Sequence, residues 1–326
     1  MSYDIITIGD ATIDTFCTLE AESELYHLDK KGEWLCLRYG SKIPVKAVNT
    51  VIGAGNAANV AMGTHRLGLK TALHTILGDD AKGQAIKERL ARHAIGTEYI
   101  SLERNTHTSS ATVIDYRGDR TILVHHDEHQ YKVLKFAETK WMYFSSICAC
   151  ADAFYPALAR YVSERNIKLG FNPGSLQLRL GVAKLQPILS VSEVLFVDIQ
   201  EGQRLVKKKT KDAKQLLRSL RRLGPRIIAL TDGRNGSYCF AGEAMYQIGI
   251  VDLPVIERTG CGDAYASGFI SALHYGLPPA EAMRWGSVNG AHEATVLGSQ
   301  TGILAKKEIV SFLNKHKDFQ PRFIPT

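Results

Sequence analysis

The chain has 326 residues, 45% of them apolar, which is enough for one large α/β domain or a domain with a small appendage. Its 40 basic and 33 acidic residues leave a net charge of +7. No run of about 18 apolar residues is present, so no membrane-spanning helix is expected.

The start, Met1-Ser2-Tyr3-Asp4-Ile5, lacks the basic and apolar regions of a signal peptide and enters a strand directly. A cytoplasmic location is therefore expected. Short apolar runs then alternate with helical patterns. The runs Ile5–Ile8, Ala72–Ile76, Trp141–Phe144, Lys168–Phe171, Val194–Val197 and Ile227–Leu230 read as strands. Helical spacing follows at 56–67, 82–94, 152–164, 201–208 and 212–223. Such alternation predicts a mostly parallel sheet covered on both faces, with ligands at the carboxyl ends of its strands.

Two segments break the alternation. Residues 15–52 carry little helical pattern, with Trp34–Tyr39 reading as a strand. Residues 107–126 read as strands Ser110–Tyr116 and Arg120–His125, joined by Arg117-Gly118-Asp119 as a hairpin turn. Together they predict a small sheet (15–52 and 107–126) outside a core of 1–14, 53–106 and 127–326.

Six cysteines at 17, 36, 148, 150, 239 and 261 are scattered, and Cys148-Ala149-Cys150 is too tight for a usual metal knuckle. Free thiols in a reducing compartment are expected. The basic run Lys207-Lys208-Lys209-Thr210-Lys211 and Arg218, Arg221, Arg222 and Arg226 flank Leu216, Leu217, Leu220 and Leu223. They read as the solvated face of an amphipathic helix rather than a nucleic-acid footprint, and no nucleic-acid partner is expected.

The segment Glu257-Arg258-Thr259-Gly260-Cys261-Gly262-Asp263 carries the most chemistry. Ala266, Phe269, Ile270 and Leu273 follow at helical spacing, which places Gly260, Cys261, Gly262 and Asp263 at a helix N-terminus. Free amides and the helix dipole make such an end an anion hole. A tight turn with Asp263 as a cap is the plainer reading. An anion hole beside a carboxylate suits phosphoryl transfer to a hydroxyl, with Asp263 as general base. A helix N-terminus is expected to hold its pKa at or below the usual carboxylate range.

Two further segments bear on this choice: Gly53-Ala54-Gly55-Asn56-Ala57-Ala58-Asn59, running into Arg66-Leu67-Gly68, and Thr231-Asp232-Gly233-Arg234-Asn235-Gly236. The first also fits the dinucleotide fingerprint G-x-G-x-x-A, so a dehydrogenase is a rival. The rival is weakened because Ala47–Ile52 is a poor buried parallel strand and because it leaves Gly260–Asp263 unexplained.

With these motifs the chain resembles the ribokinase-like, or PfkB, family of small-molecule kinases, from Ile6 to about Gly302. The Gly55–Gly68 block is similar to that family's first signature and Glu257–Phe269 to its second. The resemblance implies a three-layer α/β/α sandwich with a mostly parallel central sheet and a small β lid, ATP and Mg²⁺ as cofactors, and a sugar or nucleoside as acceptor. It implies a nucleotide-phosphate turn at Thr231, Gly233 and Gly236, with Asn289 beside the adenine. Asp198-Ile199-Gln200-Glu201 is similar to the family's Asn-x-x-Glu motif, so Glu201 and Asp198 would hold Mg²⁺ and the phosphates; Asp198 also reads as a helix N-cap. Asp14, Gly55, Asn56 and Asn59 would hold the acceptor. Cys261 stands where relatives usually have Ala, and is either merely small or a redox-sensitive brake. Glu257-Arg258-Thr259 stands where Asp-Thr-Thr is common, which bears on activation by K⁺. A homodimer through the lid is expected, and a non-catalytic sensor on the same scaffold is the alternative of a different class.

Overall fold

The computed structural model describes residues 2–147, 152–210 and 212–325. Cys148, Cys150 and Lys211 lie outside the described residues. The amino-terminal part contains β1 (Ser2–Ile8), β2 (Thr12–Thr18), β3 (Tyr26–Leu28), β4 (Leu35–Leu37), β5 (Ala47–Ala54), α1 (Asn56–Arg66), β6 (Thr71–Gly78), α2 (Ala81–Arg92) and β7 (Ile100–Glu103). The middle contains β8 (Ser110–Tyr116), β9 (Asp119–His125), β10 (Glu138–Phe144), α3 (Phe154–Glu164), β11 (Lys168–Phe171), α4 (Ser175–Leu180), α5 (Val182–Val191), β12 (Ser192–Asp198), α6 (Ile199–Val206) and α7 (Ala213–Arg221). The rest is β13 (Ile227–Thr231), β14 (Ser237–Ala241), β15 (Ala244–Ile248), α8 (Cys261–His274), α9 (Pro279–Glu293), α10 (Lys306–Lys315) and β16 (Arg322–Ile324).

The main sheet has the order β16-β15-β14-β13-β12-β11-β10-β1-β6-β7. Strands β7, β6, β1, β10, β11, β12 and β13 are parallel neighbours. All but the edge strand β7 are the continuous apolar runs, as strands buried on both faces require. β14, β15 and β16 extend the sheet antiparallel. On one face α3 to α7 deliver Phe154, Leu178, Leu185, Leu205 and Leu216 to a core with Phe144, Phe171 and Leu195. On the other, α1, α8, α9 and α10 pack Val60, Phe269, Met283 and Ile309 against Ile5, Tyr143 and Phe196. This is the three-layer sandwich expected from the sequence. Leu216, Leu217 and Leu220 of α7 are buried while Arg218 is exposed, so the cations there do form a solvated face. Among the described residues no helix is long and apolar enough to cross a membrane.

A four-stranded sheet, β5-β2-β8-β9, stands apart from the main one. The β8–β9 turn carries positive φ at Arg117 (55°) and Gly118 (77°), the two-residue geometry that matches strand twist. The sheet reaches further into the chain than the sequence suggests. β2 begins at Thr12 and β5 ends at Ala54, so Asp14 lies on a lid strand and not in a core loop. β2 and β5 escaped the sequence reading because Thr, Asp and Asn interrupt their apolar pattern. Leu35–Leu37 pairs only with β3, in a separate two-stranded sheet. β5 pairs antiparallel to β2, so the glycines after it do not follow a parallel core strand as a dinucleotide fold demands.

Lid strand β9 is exposed along its whole length, including Ile122, Leu123 and Val124. An exposed apolar edge strand invites pairing with a second copy. We expect light scattering at micromolar concentration to give twice the 36.0 kDa chain mass, and Leu123→Lys to return the chain mass. A wild-type monomer at that concentration counts against lid pairing.

Candidate active site

Strand β1 runs out at Ile8 and the chain crosses at once into the lid. The carboxyl ends of β10, β11, β12 and β13 lie alongside, with Phe144 beside Phe171 and Asp198 beside Thr231 in register. The loops leaving these ends, the start of α1 and the start of α8 therefore face one edge of the sheet.

The start of α8 has the geometry of an anion site. Gly260 is its N-cap in the left-handed region (φ 82°), and a Cβ there would lie 2.6 Å from the Ser299 carbonyl oxygen. Only glycine serves here. The first bond inside the turn is Ala264 N–H to Gly260 O at 2.8 Å. The amides of Gly260, Gly262 and Asp263 have no acceptor among the described residues. Cys261 differs from expectation: its amide donates to Arg258 O at 3.3 Å, closing the turn. The space in front of Gly262 is open.

Asp263 sits in the first turn of α8 and is only 8% exposed. Asn59 Nδ2 donates to its Oδ2 at 2.7 Å. Its carboxyl is pushed up to about 7, first by burial, then by the Glu201 and Asp14 carboxylates, with the Asn59 hydrogen bond opposing. This corrects the expectation from the helix end. Desolvation outweighs the dipole once α1 and the lid shut out water.

Asn59 has a structural role as well. Its Oδ1 accepts from Gln300 Nε2 at 2.8 Å and from Ser299 Oγ at 3.2 Å, so the side chain is fixed as a brace for Asp263. Asn289 is fully buried and fully used. Its Nδ2 donates to Ala264 O and Ser267 Oγ, and its Oδ1 accepts from Leu304 N–H. It braces α9 against α8 and has no side-chain atom to offer an adenine.

Asp14 is buried, accepts from Thr12 Oγ1 at 2.6 Å, and is pushed up to about 6 by burial. Gly55 caps α1 with φ 94°, and a Cβ there would lie 2.7 Å from Asp10 O, so the two loops touch through backbone. Asn56 is half-buried and its Nδ2 faces Asn172 Oδ1 at 3.3 Å. Thus Asp14, Gly55, Asn56 and Asp263 come together at one end of the candidate site, where β2 meets the starts of α1 and α8.

At the other end Asp198 and Glu201 form a capping box on α6: Glu201 N–H donates to Asp198 Oδ1 (2.7 Å) and Asp198 N–H to Glu201 Oε2 (3.0 Å). The N-cap role of Asp198 is therefore real. One oxygen of each carboxylate stays outside the box. Glu201 is pushed up to about 7, by burial and then by the Asp198 charge. Thr231 closes β13, and Gly233 to Gly236 form a tight turn in which Gly236 N–H donates to Gly233 O. Thr231 pairs in register with Asp198, so this turn leaves the sheet next to the start of α6.

The sequence reading missed three groups. Asp10 is 5% exposed, and Tyr131 Oη donates to its Oδ1 at 2.8 Å. His126, just past β9, places Nδ1 3.5 Å from Asp10 Oδ2. Arg120 of β9 reaches within 3.7 Å of the buried Glu257, which also accepts from Thr259 N–H. Nothing local marked Asp10 or His126. The Arg117–Arg120 turn was visible, but not that it folds down onto Glu257. Cys261 is pushed up to about 12 by burial and by Glu293 and Glu257, so its thiol stays protonated.

The arrangement matches known kinases along its length. A nucleoside kinase from Methanothermobacter thermautotrophicus is 24% identical, over 98% of each chain. The structure of Arabidopsis thaliana ribokinase complexed with ribose and ATP superposes with a TM-score of 0.78 at 20% identity, covering 96% of this chain and 99% of that one. Burkholderia thailandensis nucleoside kinase in complex with inosine gives 0.76 at 18%, covering 97% and 100%. The family model for pfkB family carbohydrate kinases matches residues 23–306. This chain belongs to the pfkB family of carbohydrate kinases, phosphotransferases whose acceptor group is an alcohol.

Proposed function

We propose that the chain transfers the γ-phosphoryl group of ATP to a hydroxyl of a sugar, with Asp263 as general base and the start of α8 as the anion hole. The observation that carries this reading is the set of unpartnered amides of Gly260, Gly262 and Asp263 beside a buried carboxylate held by Asn59. The amides would hold the travelling phosphoryl oxygens, while Asp14, Gly55 and Asn56 hold the acceptor. Asp263 at about 7 is a far better base at neutral pH than a free aspartate. It takes the hydroxyl proton as the oxygen–phosphorus bond forms and the bond to the ADP oxygen breaks. Thr231, Gly233 and Gly236 would border the nucleotide phosphates.

Among the described residues no three His, Cys, Asp or Glu side chains converge on a metal position. That fits Mg²⁺, which takes one or two carboxylates and completes its shell with water and phosphate. Glu201 and Asp198 carry the free oxygens for it. Bound there, the ion supplies positive charge against the β- and γ-phosphates. A nucleoside acceptor is the second reading, supported by the full-length likeness to a nucleoside kinase. ADP release on a panel of sugars and nucleosides separates the two; release with no acceptor of either class counts against both.

Replacing Asp263 by Asn is expected to lower kcat about a hundredfold or more with ATP binding retained. Near wild-type turnover rejects the base. The folded pKa of Asp263 lies above the free value of 3.8, so ionising it costs stability as pH rises from about 4 through about 7. The same variant should therefore melt higher than wild type at pH 8 and gain little at pH 4. The acid limb of kcat/KM for wild type should fall near pH 7, not near pH 4.

A thiol held at about 12 is not the thiolate that peroxide attacks. Cys261→Ala and wild type should lose activity to peroxide equally slowly; selective protection by the variant would restore the redox brake.

Glu257 Oε2 is buried without a partner, and Glu293 is pushed up to about 7 by burial. A monovalent cation beside them would relieve both. Turnover in K⁺ should exceed turnover in tetramethylammonium at equal ionic strength; equal rates remove the cation.

A further inference from the structure

Asn56 opens α1, and its side-chain amide has two possible settings, one exposing its oxygen and the other its nitrogen. The neighbouring strand ends decide between them. Asn172, just past β11, is anchored on three sides. Its N–H donates to Phe144 O at 3.0 Å, its carbonyl accepts from Ser145 Oγ at 3.0 Å, and its Nδ2 donates to Phe196 O at 2.9 Å. A main-chain carbonyl only accepts, so Nδ2 and not Oδ1 must face Phe196. That leaves Asn172 Oδ1 facing Asn56 at 3.3 Å. An oxygen takes only a donor, so Asn56 turns its Nδ2 toward Asn172. Asn56 Oδ1 then faces away from Asn172, with no partner among the described residues and within reach of solvent.

The plain alternative is a strut between α1 and β11 with no bearing on a ligand. A strut needs no particular polarity on its far side, whereas here the far side repeats the polarity of the carboxylates around it. Asp14 Oδ2 and the second oxygen of Asp263 are likewise without a partner among the described residues and reached by solvent. The charged groups that act on Asp263 are Glu201 and Asp14, and no basic side chain offsets Asp14. The lid's Arg120 is turned to Glu257, at 3.7 Å. Open oxygens without a cation make this end of the site a surface that accepts hydrogen bonds and repels negative charge.

We propose that Asn172 is a positioning residue that holds the Asn56 amide oxygen toward the acceptor, and that the acceptor is a polyhydroxyl compound without anionic groups, sugar acids and sugar phosphates being turned away. The assignment rests on the kinase reading for the molecule's being the phosphoryl acceptor, and it narrows the class of that molecule. Hydroxyls donate to all of these oxygens. An anionic group would stand among carboxylates with no cation to pair with, and like charges brought together away from water repel most strongly. Facing the Asn56 oxygen it would also meet an acceptor where it needs a donor, so the fixed amide acts against the wrong ligand as well as for the right one.

Calorimetric titration without nucleotide, at neutral pH, is the test. The neutral probes are D-ribose, D-fructose, D-glucose and adenosine; the anionic ones are D-gluconate, D-glucuronate and D-galacturonate. Wild type should bind at least one neutral probe, and the tightest anionic probe should be at least about tenfold weaker. Asn172→Leu keeps the volume and frees the Asn56 amide to turn. The neutral probe should then weaken about three- to tenfold, the worth of one hydrogen bond, while the anionic probes hold or gain. A mere strut would weaken both sets by one common factor. Adding Asn56→Asp, which presents an oxygen whichever way it turns, should reopen the gap. Thermal melts show whether each variant is folded. Should Asn172→Leu not fold, Asn56→Ala must cause the same loss on the neutral probe with Asn172 intact, and an unchanged affinity there overturns the assignment. So does an anionic probe that binds wild type as tightly as the best neutral one, a common factor in Asn172→Leu, or no binding by any probe. ADP release by wild type judges the kinase reading separately. Discrimination in binding without ADP release leaves the assignment and removes the kinase; ADP release that requires a sugar acid or a sugar phosphate does the reverse.

Discussion

The hydrogen bond from Asn59 to Asp263 organises the rest of the site. It joins the first turn of α8 to the second turn of α1, two helices that pack together on the same face of the sheet. Asn59 is itself fixed by Ser299 and Gln300, and Gln300 also donates to Gly53 O at 2.7 Å, at the end of lid strand β5. A continuous chain of bonds therefore runs from the base, through the core, to the lid. A carboxylate with one oxygen tethered keeps the other at a fixed angle to the helix axis, which is what a late proton transfer needs.

The cleft is dominated by acids. Asp10, Asp14, Glu201 and Asp263 are all raised, each chiefly by burial. Carboxylates brought together away from water raise one another further, as Glu201 and Asp14 do to Asp263. The field of these groups opposes a bare nucleotide triphosphate. On the reading proposed above, it favours one that arrives neutralised by a cation, and the amides at the start of α8 would supply the remaining attraction without a mobile charge. The basic face of α7 does not alter this, since its cations point to solvent.

The main sheet was legible because its parallel strands are unbroken apolar runs, and Ile5, Phe144, Phe171 and Leu195 could be read as buried without any knowledge of their partners. The Gly260 turn was legible for the same reason: its geometry is local. The lid was legible only in part. β8 and β9 announce themselves by a hairpin turn, whereas β2 and β5 pair with strands far along the chain and carry polar residues on a half-buried sheet. Side-chain roles set by distant partners were beyond reach. Asn59 meets Ser299 and Gln300 across 240 and 241 residues, and only that contact makes it a brace for Asp263. The pKa of Asp263 was misjudged in sign for a related reason. A helix end is visible in sequence; the burial that overrides it is made by the whole fold.

The burial that would make Asp263 a competent base on the reading proposed above also makes it a burden on the folded state, because ionising it inside the protein is unfavourable. The structure offsets that burden beneath the site and not within it. Gly63 lets α1 approach α8 so closely that a Cβ there would overlap the Ser267 side chain, and Ser267 in turn meets Asn289, which ties down α9 and the Leu304 amide. These contacts lie one turn below Asn59 and Asp263 on their helices. Asn289 thus belongs with the residues that keep Asp263 in its place, although the family resemblance had implied a position beside the adenine. Burial of the Asp263 carboxyl and tight packing behind it are two parts of one arrangement: loosening the helix contact would let water reach Asp263 and return it toward the ordinary carboxylate range.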